Sequence, residues 1–180
     1  MLQRHAIKNK WRRVQRPIGI CEPTKKRAHI AFCLNDGSVY SESYSNSPVH
    51  PASLTKLMTL CIALDLLKSG RLDLEEDIIF SRRSQKFHSP NSGFKSATFN
   101  DVLNLICVAS ANDAAVAVAE HIGRTEWRFC HEFMNPKARS LGMKNSEFWN
   151  ATGLLNHDLP YSRPLPHSVT TASDLMVLVS

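Results

Sequence analysis

Ser53-Leu54-Thr55-Lys56 runs directly into Leu57-Met58-Thr59-Leu60-Cys61-Ile62-Ala63-Leu64-Asp65-Leu66-Leu67. The stretch from Leu57 to Leu67 is apolar almost all round, which suits a helix in the middle of a domain. Residues three apart share a helix face, so the Lys56 amine reaches Ser53 Oγ. A lysine drawn into such an interior loses hydration, and its pKa falls. The positive end of the helix macrodipole acts in the same direction at the first turn. A serine hydroxyl beside a free amine is the pairing that a general base and a nucleophile require. The same letters also have a plainer reading, with Ser53 as an N-cap and Lys56 as a snorkelling side chain. A second Ser-x-x-Lys at Ser92-Gly93-Phe94-Lys95 shows how little the string decides alone.

Ser110-Ala111-Asn112 supplies a second element. Upstream, Thr98 reads as an N-cap for a helix with Val102, Leu103, Leu105, Ile106 and Val108 on it. Downstream, Asp113 starts another helix, through Ala114, Ala115, Val116, Val118, Ala119 and Ile122, with Gly123 in the C′ place. A Ser and an Asn two apart in such a corner can point into one cleft, although both also suit helix ends for local reasons. Ser89-Pro90-Asn91 repeats the Ser-x-Asn pattern. The two motifs in this order, each at a helix edge, are far more specific than either one.

His50-Pro51-Ala52-Ser53-Leu54-Thr55-Lys56-Leu57-Met58-Thr59 closely resembles the nucleophile region of low-molecular-mass penicillin-binding proteins, the serine D-alanyl-D-alanine carboxypeptidases of peptidase family S11. Ser110-Ala111-Asn112-Asp113-Ala114-Ala115 resembles their second motif. Leu141-Gly142-Met143-Lys144-Asn145-Ser146, then Phe148, Asn150 and Thr152-Gly153-Leu154, resemble a third family segment, and His167 to Leu178 the next helix. The resemblance runs from about residue 28 to the last residue. It implies an α+β class: a penicillin-binding-protein/β-lactamase-like transpeptidase fold, with a helical cluster packed on part of an antiparallel sheet. The domain is expected to be incomplete, because residues 175–180 stop inside an apolar helical pattern and no Lys-Thr-Gly occurs. In relatives that strand helps bind the substrate carboxylate and flanks an oxyanion donor, and losing one such donor typically costs ~10²–10³ in rate. The chain also runs a few residues short of relatives between Gly93 and Phe99.

The resemblance implies that Ser53 is the acyl-ester nucleophile, Lys56 its general base and Ser110 a proton relay. Asn112 would hydrogen-bond Lys56 or the substrate amide. The implied partners are peptidoglycan stem peptides ending in D-Ala-D-Ala, with β-lactams as mimics, and no cofactor or metal is implied. Other readings stand beside this one. A non-catalytic remnant would keep two motifs without finishing the site. A class A β-lactamase would need a glutamate for the deacylating water, for which Glu147 in Glu147-Phe148-Trp149-Asn150 is the nearest candidate. A nucleic-acid binder would act through the basic tail, with strongly salt-dependent affinity.

At 180 residues and 43% hydrophobic composition the chain suits one domain with a real core. Net charge is +6, but nine of the 22 basic residues fall within residues 1–27 against the single acid Glu22. From residue 28 onward the balance is 13 basic to 15 acidic. The division is therefore a basic, disordered tail at 1–27 and a partial carboxypeptidase domain at 28–180. The tail lacks the run of roughly 7–15 apolar residues of a secretory signal, whereas the resemblance implies a periplasmic or cell-envelope location. Trp11 is its only aromatic, and no specific nucleic-acid partner is expected. Cys21, Cys33, Cys61, Cys107 and Cys130 show no metal-type spacing, and Cys61 and Cys107 read as small core residues.

The remaining pattern predicts strands at 28–34 and 38–43 around an Asn35-Asp36-Gly37 turn. Residues 81–95 read as a polar loop over one edge of the cleft. Thr125 is expected to cap a helix over 126–141, kinked or split at Pro136 and ended by Gly142.

Overall fold

In the computed structural model, which describes residues 27–87, 95–155 and 166–180, the first element is a hairpin. β1 (His29–Phe32) pairs antiparallel with β2 (Val39–Ser43), from His29 opposite Ser43 to Phe32 opposite Val39. Asp36 Oδ1 accepts from the Ser38 N–H at 2.9 Å and the Ser38 hydroxyl at 2.7 Å, and Gly37 supplies the left-handed residue with φ +71°. The turn lies where the sequence places it. The basic stretch 1–26, Cys21, the spare Ser89-Pro90-Asn91 and most of the spare Ser-x-x-Lys fall outside the described residues.

α1 (Thr55–Lys68) follows a 3₁₀ turn, Ala52–Leu54. It buries Met58, Ile62, Ala63 and Leu66 but leaves Leu64 exposed, so it is not enclosed on all sides as its composition suggests. Two strands of three residues, β3 (Asp77–Ile79) and β4 (Ser96–Thr98), form a second antiparallel pair. Sequence periodicity misses them because three residues are too few to show alternation. β4 feeds straight into α2 (Phe99–Ala109), whose first turn is capped by Thr98 Oγ1 accepting from the Asp101 N–H at 3.2 Å.

α3 (Asn112–Gly123) is the enclosed helix of the fold: Ala114, Ala115, Val116, Ala117, Val118 and Ala119 are all fully buried. Its small side chains let α1, α2 and the segment after α3 approach from different directions. Gly123 does not sit at C′ as the sequence suggests. It is the last helical residue, and Arg124 takes the left-handed φ of +63°. The glycine serves close packing instead, since a Cβ there would lie 2.6 Å from the Phe129 nitrogen.

The helix expected over 126–141 is divided. α4 (Glu126–Arg128), capped by Thr125 Oγ1, passes into a π-helical stretch at Phe129–Met134 and then α5 (Asn135–Leu141). Pro136 lies in the first turn of α5, where its missing N–H costs nothing, and the wider π turn absorbs the break. Gly142 closes α5 with φ +83°, as expected. α6 (Ala172–Val179) begins later than the His167 boundary in the sequence reading, because Val169 and Thr170 are drawn into β-bridges with Glu147 and Val49. It packs against both β1 and α1, which ties the hairpin to the helical cluster.

The cysteines require a correction. Cys107 is exposed and Cys61 only half-buried, whereas Cys130 is fully buried. α2 buries Phe99, Val102 and Ile106, spaced three and four apart, which turns Cys107 away from the core. Among the described residues Cys33, Cys61, Cys107 and Cys130 form no disulfide. Among the described residues no helix is long and apolar enough to cross a membrane.

Candidate active site

Ser53 lies in the 3₁₀ turn before α1, two residues ahead of the first residue of that helix. It caps nothing with its side chain: Leu54 is the N-cap residue of α1, and no side-chain cap is formed there. Ala52, just before it, has φ +47°, a left-handed conformation that strains any residue with a Cβ by roughly 1–3 kcal/mol. This bend presents Ser53 at the surface while Lys56 points inward.

Lys56 is only 3% exposed. Its Nζ donates to Ser53 Oγ at 3.1 Å, to Ser110 Oγ at 3.3 Å and to the Thr152 carbonyl at 3.4 Å. The longer two lie at the loose end of the hydrogen-bond range. Burial lowers the amine from its usual 10.5 to about 8, so a useful fraction is uncharged near neutrality. The plainer reading of Lys56 as a snorkelling surface residue fails on this burial.

Ser110 arrives from elsewhere in the chain. It ends α2 in a left-handed conformation, φ +52°, and this corner turns the chain into α3 within two residues. Asn112, half-buried, is the first residue of α3. The structure thus brings Ser53, Lys56 and Ser110 onto one amine and starts α3 with Asn112 two residues beyond Ser110.

The Thr152 carbonyl is a partner of Lys56 that sequence reasoning misses. A buried Asn150 builds the loop that delivers it. Asn150 Oδ1 accepts from the Thr152 N–H at 3.1 Å, the Thr152 hydroxyl at 2.9 Å and the Gly153 N–H at 2.6 Å. Its Nδ2 donates to the Leu154 carbonyl at 3.1 Å. Gly153 has φ +79°, and a Cβ there would sit 1.8 Å from the Ala52 carbonyl oxygen. The loop therefore buttresses both the base and the strained residue beside the nucleophile. Asn-x-Thr-Gly is a turn-forming string, but nothing local in it points to Lys56.

Glu147, the β-lactamase candidate, is exposed, and its backbone N–H and carbonyl pair with Val169 at 2.9 Å each. Among the described residues no cluster of three or more His, Cys, Asp or Glu is placed to hold a metal.

The family model for D-alanyl-D-alanine carboxypeptidase, peptidase S11, matches residues 21–180. The chain belongs to this family. Among S11 relatives it is 37% identical over 124 residues to the D-alanyl-D-alanine carboxypeptidase DacF of Bacillus subtilis, covering 66% of this chain and 31% of that protein. It is 36% identical over 129 residues to a D-alanyl-D-alanine endopeptidase of Escherichia coli, covering 68% of this chain and 40% of that one. Among solved structures, the carboxypeptidase DacD from Francisella tularensis superposes with a TM-score of 0.76 at 30% identity, over 92% of this chain and 38% of its own. Penicillin-binding protein D2 from Listeria monocytogenes, solved in an ampicillin-bound form, gives 0.71 at 26% identity over 84% and 59%. The fold is thus the penicillin-binding-protein type. This S11 chain spans less than half the length of DacF and of the endopeptidase.

Proposed function

We propose that this chain carries the acylating centre of a serine D-alanyl-D-alanine carboxypeptidase acting on peptidoglycan stem peptides in the cell envelope. The observation that supports this most is Lys56: a nearly fully buried amine, lowered to about 8, with Ser53 and Ser110 hydroxyls on either side.

In this reading the uncharged Lys56 amine takes the Ser53 proton as Oγ attacks the carbonyl of the penultimate D-alanine. A C–O bond forms, and the tetrahedral oxyanion is met by the Ser53 N–H, one half of an oxyanion hole. As the C–N bond breaks, Ser110 passes a proton from Lys56 to the departing D-alanine amine. Asn112 orients the substrate amide or Lys56. Water then adds to the ester, gives a proton back through Lys56 and frees Ser53. A β-lactam amide presents the same carbonyl, and its opening leaves Ser53 acylated. The 180 residues contain no Lys-Thr-Gly, so the second oxyanion donor that the resemblance places beside that motif is not among them.

Incubation of the purified chain with a fluorescent penicillin tests the proposal. Stable covalent labelling that disappears in Ser53→Ala is the expected result. A folded chain that takes no label would overturn it in favour of a non-catalytic remnant of the family. Fast hydrolysis of nitrocefin without an accumulated adduct would instead indicate a β-lactamase.

A further inference from the structure

Glu126, the first residue of α4, is a carboxylate only 1% exposed, and the steps above leave it without a part. Its Oε1 accepts from the Ala151 N–H at 2.8 Å, and its Oε2 from Arg83 Nη2 at 2.6 Å. Arg83 also donates through Nη1 to Glu120 Oε1 at 3.2 Å, and Glu120 Oε2 accepts from the Ser81 hydroxyl at 2.6 Å. These bonds run from the segment before Phe87, across α3 and α4, to the peptide joining Asn150 and Ala151. An ion pair buried only at its Glu126 end, with Arg83 partly exposed, is weak evidence for stability. Its location is more informative. Ala151 immediately precedes Thr152, whose carbonyl faces Lys56 Nζ. Asn150 shapes the loop from within, while Glu126 holds the Ala151 N–H from outside it with a charge-assisted bond.

Resting on the function proposed above, we propose that Glu126 is a positioning residue for Lys56. By holding the Ala151 N–H, it aims the Thr152 carbonyl at Lys56 Nζ and keeps the amine between Ser53 and Ser110. Among the described residues the atoms hydrogen-bonded to that amine, Ser53 Oγ, Ser110 Oγ and the Thr152 carbonyl, are all uncharged, so its titration responds to its burial and to these contacts.

The test uses the full chain with ¹³C-labelled lysine, the Lys56 signal being assigned through Lys56→Arg. In Glu126→Ala the carbonyl acceptor of the ammonium is lost, so the Lys56 midpoint falls by about half a unit or more. The rate constant for acylation of Ser53 by penicillin falls about 10- to 100-fold at unchanged affinity, as expected for misplacement of a reacting group. Glu126→Gln, which keeps an oxygen for the Ala151 N–H, restores the wild-type midpoint. Should Glu126→Ala fail to fold, the double variant Glu126→Leu with Arg83→Met removes the pair at similar volume and must show the same fall. An unchanged or rising midpoint in either folded variant, or Gln behaving as Ala, overturns the proposal. If the wild-type chain takes no penicillin, the catalytic reading fails while the Lys56 titration still decides the role of Glu126.

Discussion

Burial holds Lys56 at about 8 against 10.5 for a free lysine, and this acts on both reactivity and stability. Labelling of Ser53 by penicillin should rise with pH through a midpoint near 8; a midpoint above 10 would show an amine in ordinary contact with water. The unfolded chain keeps the Lys56 proton up to about 10.4, the folded chain only to about 8. Between those values the unfolded state binds more protons, so stability rises with pH across that window, and below it the whole penalty is present. Lys56→Met should therefore stabilise the fold at pH 7 by ~1–2 kcal/mol, with the advantage shrinking toward pH 10. Urea unfolding at the two pH values measures it, and equal gains at both would refute the assignment of the shift to burial. The Ser53–Lys56 spacing was open to reading in the sequence because three residues span less than one helical turn. The depth of burial that sets the pKa was not, since it depends on the shell around the amine.

Helix ends were largely legible. Thr98, Thr125 and Gly142 each act through their immediate neighbours and do what local chemistry assigns them. The loop at 150–154 was not, because its shape is determined by Asn150 but its purpose by Ala52 and Lys56 far away in the chain. Gly153→Ala tests that distinction. Its Cβ would fall 1.8 Å from the Ala52 carbonyl oxygen, so the loop or the nucleophile turn must move. Penicillin labelling should drop by about tenfold or more, the scale expected when a reacting group is displaced. Gly142→Ala serves as the control. It shares a positive φ, +83°, but meets nothing within 4 Å, so it should cost only ~1 kcal/mol in a thermal melt and leave labelling intact. Equal loss of labelling in both variants would refute the steric account.

α3 is the pillar around which the other elements are arranged, and its alanines explain how so many can approach it. Ala115→Leu inserts a branched side chain where no space exists and should lower unfolding free energy by ~1–3 kcal/mol in urea. Val108→Ala, at a position 87% exposed, should change it by no more than ~0.5 kcal/mol. Comparable effects at the two positions would mean that α3 is not enclosed as described. The hairpin of β1 and β2 would be marginal alone, and it is α6, far along the chain, that backs it.

What could be read from the amino acids was whatever neighbours along the chain decide: helix periods, caps, the reach of Lys56 to Ser53, and motifs whose order marks the S11 family. What required the folded molecule was convergence across distance. Ser110 stands 54 residues from Lys56 and the Thr152 carbonyl 96, yet both lie on one amine. No local propensity encodes such meetings. They follow from how α1, the α2–α3 corner and the Asn150 loop pack, and the same packing, by stripping water from the Lys56 amine, lowers the pH at which it gives up its charge.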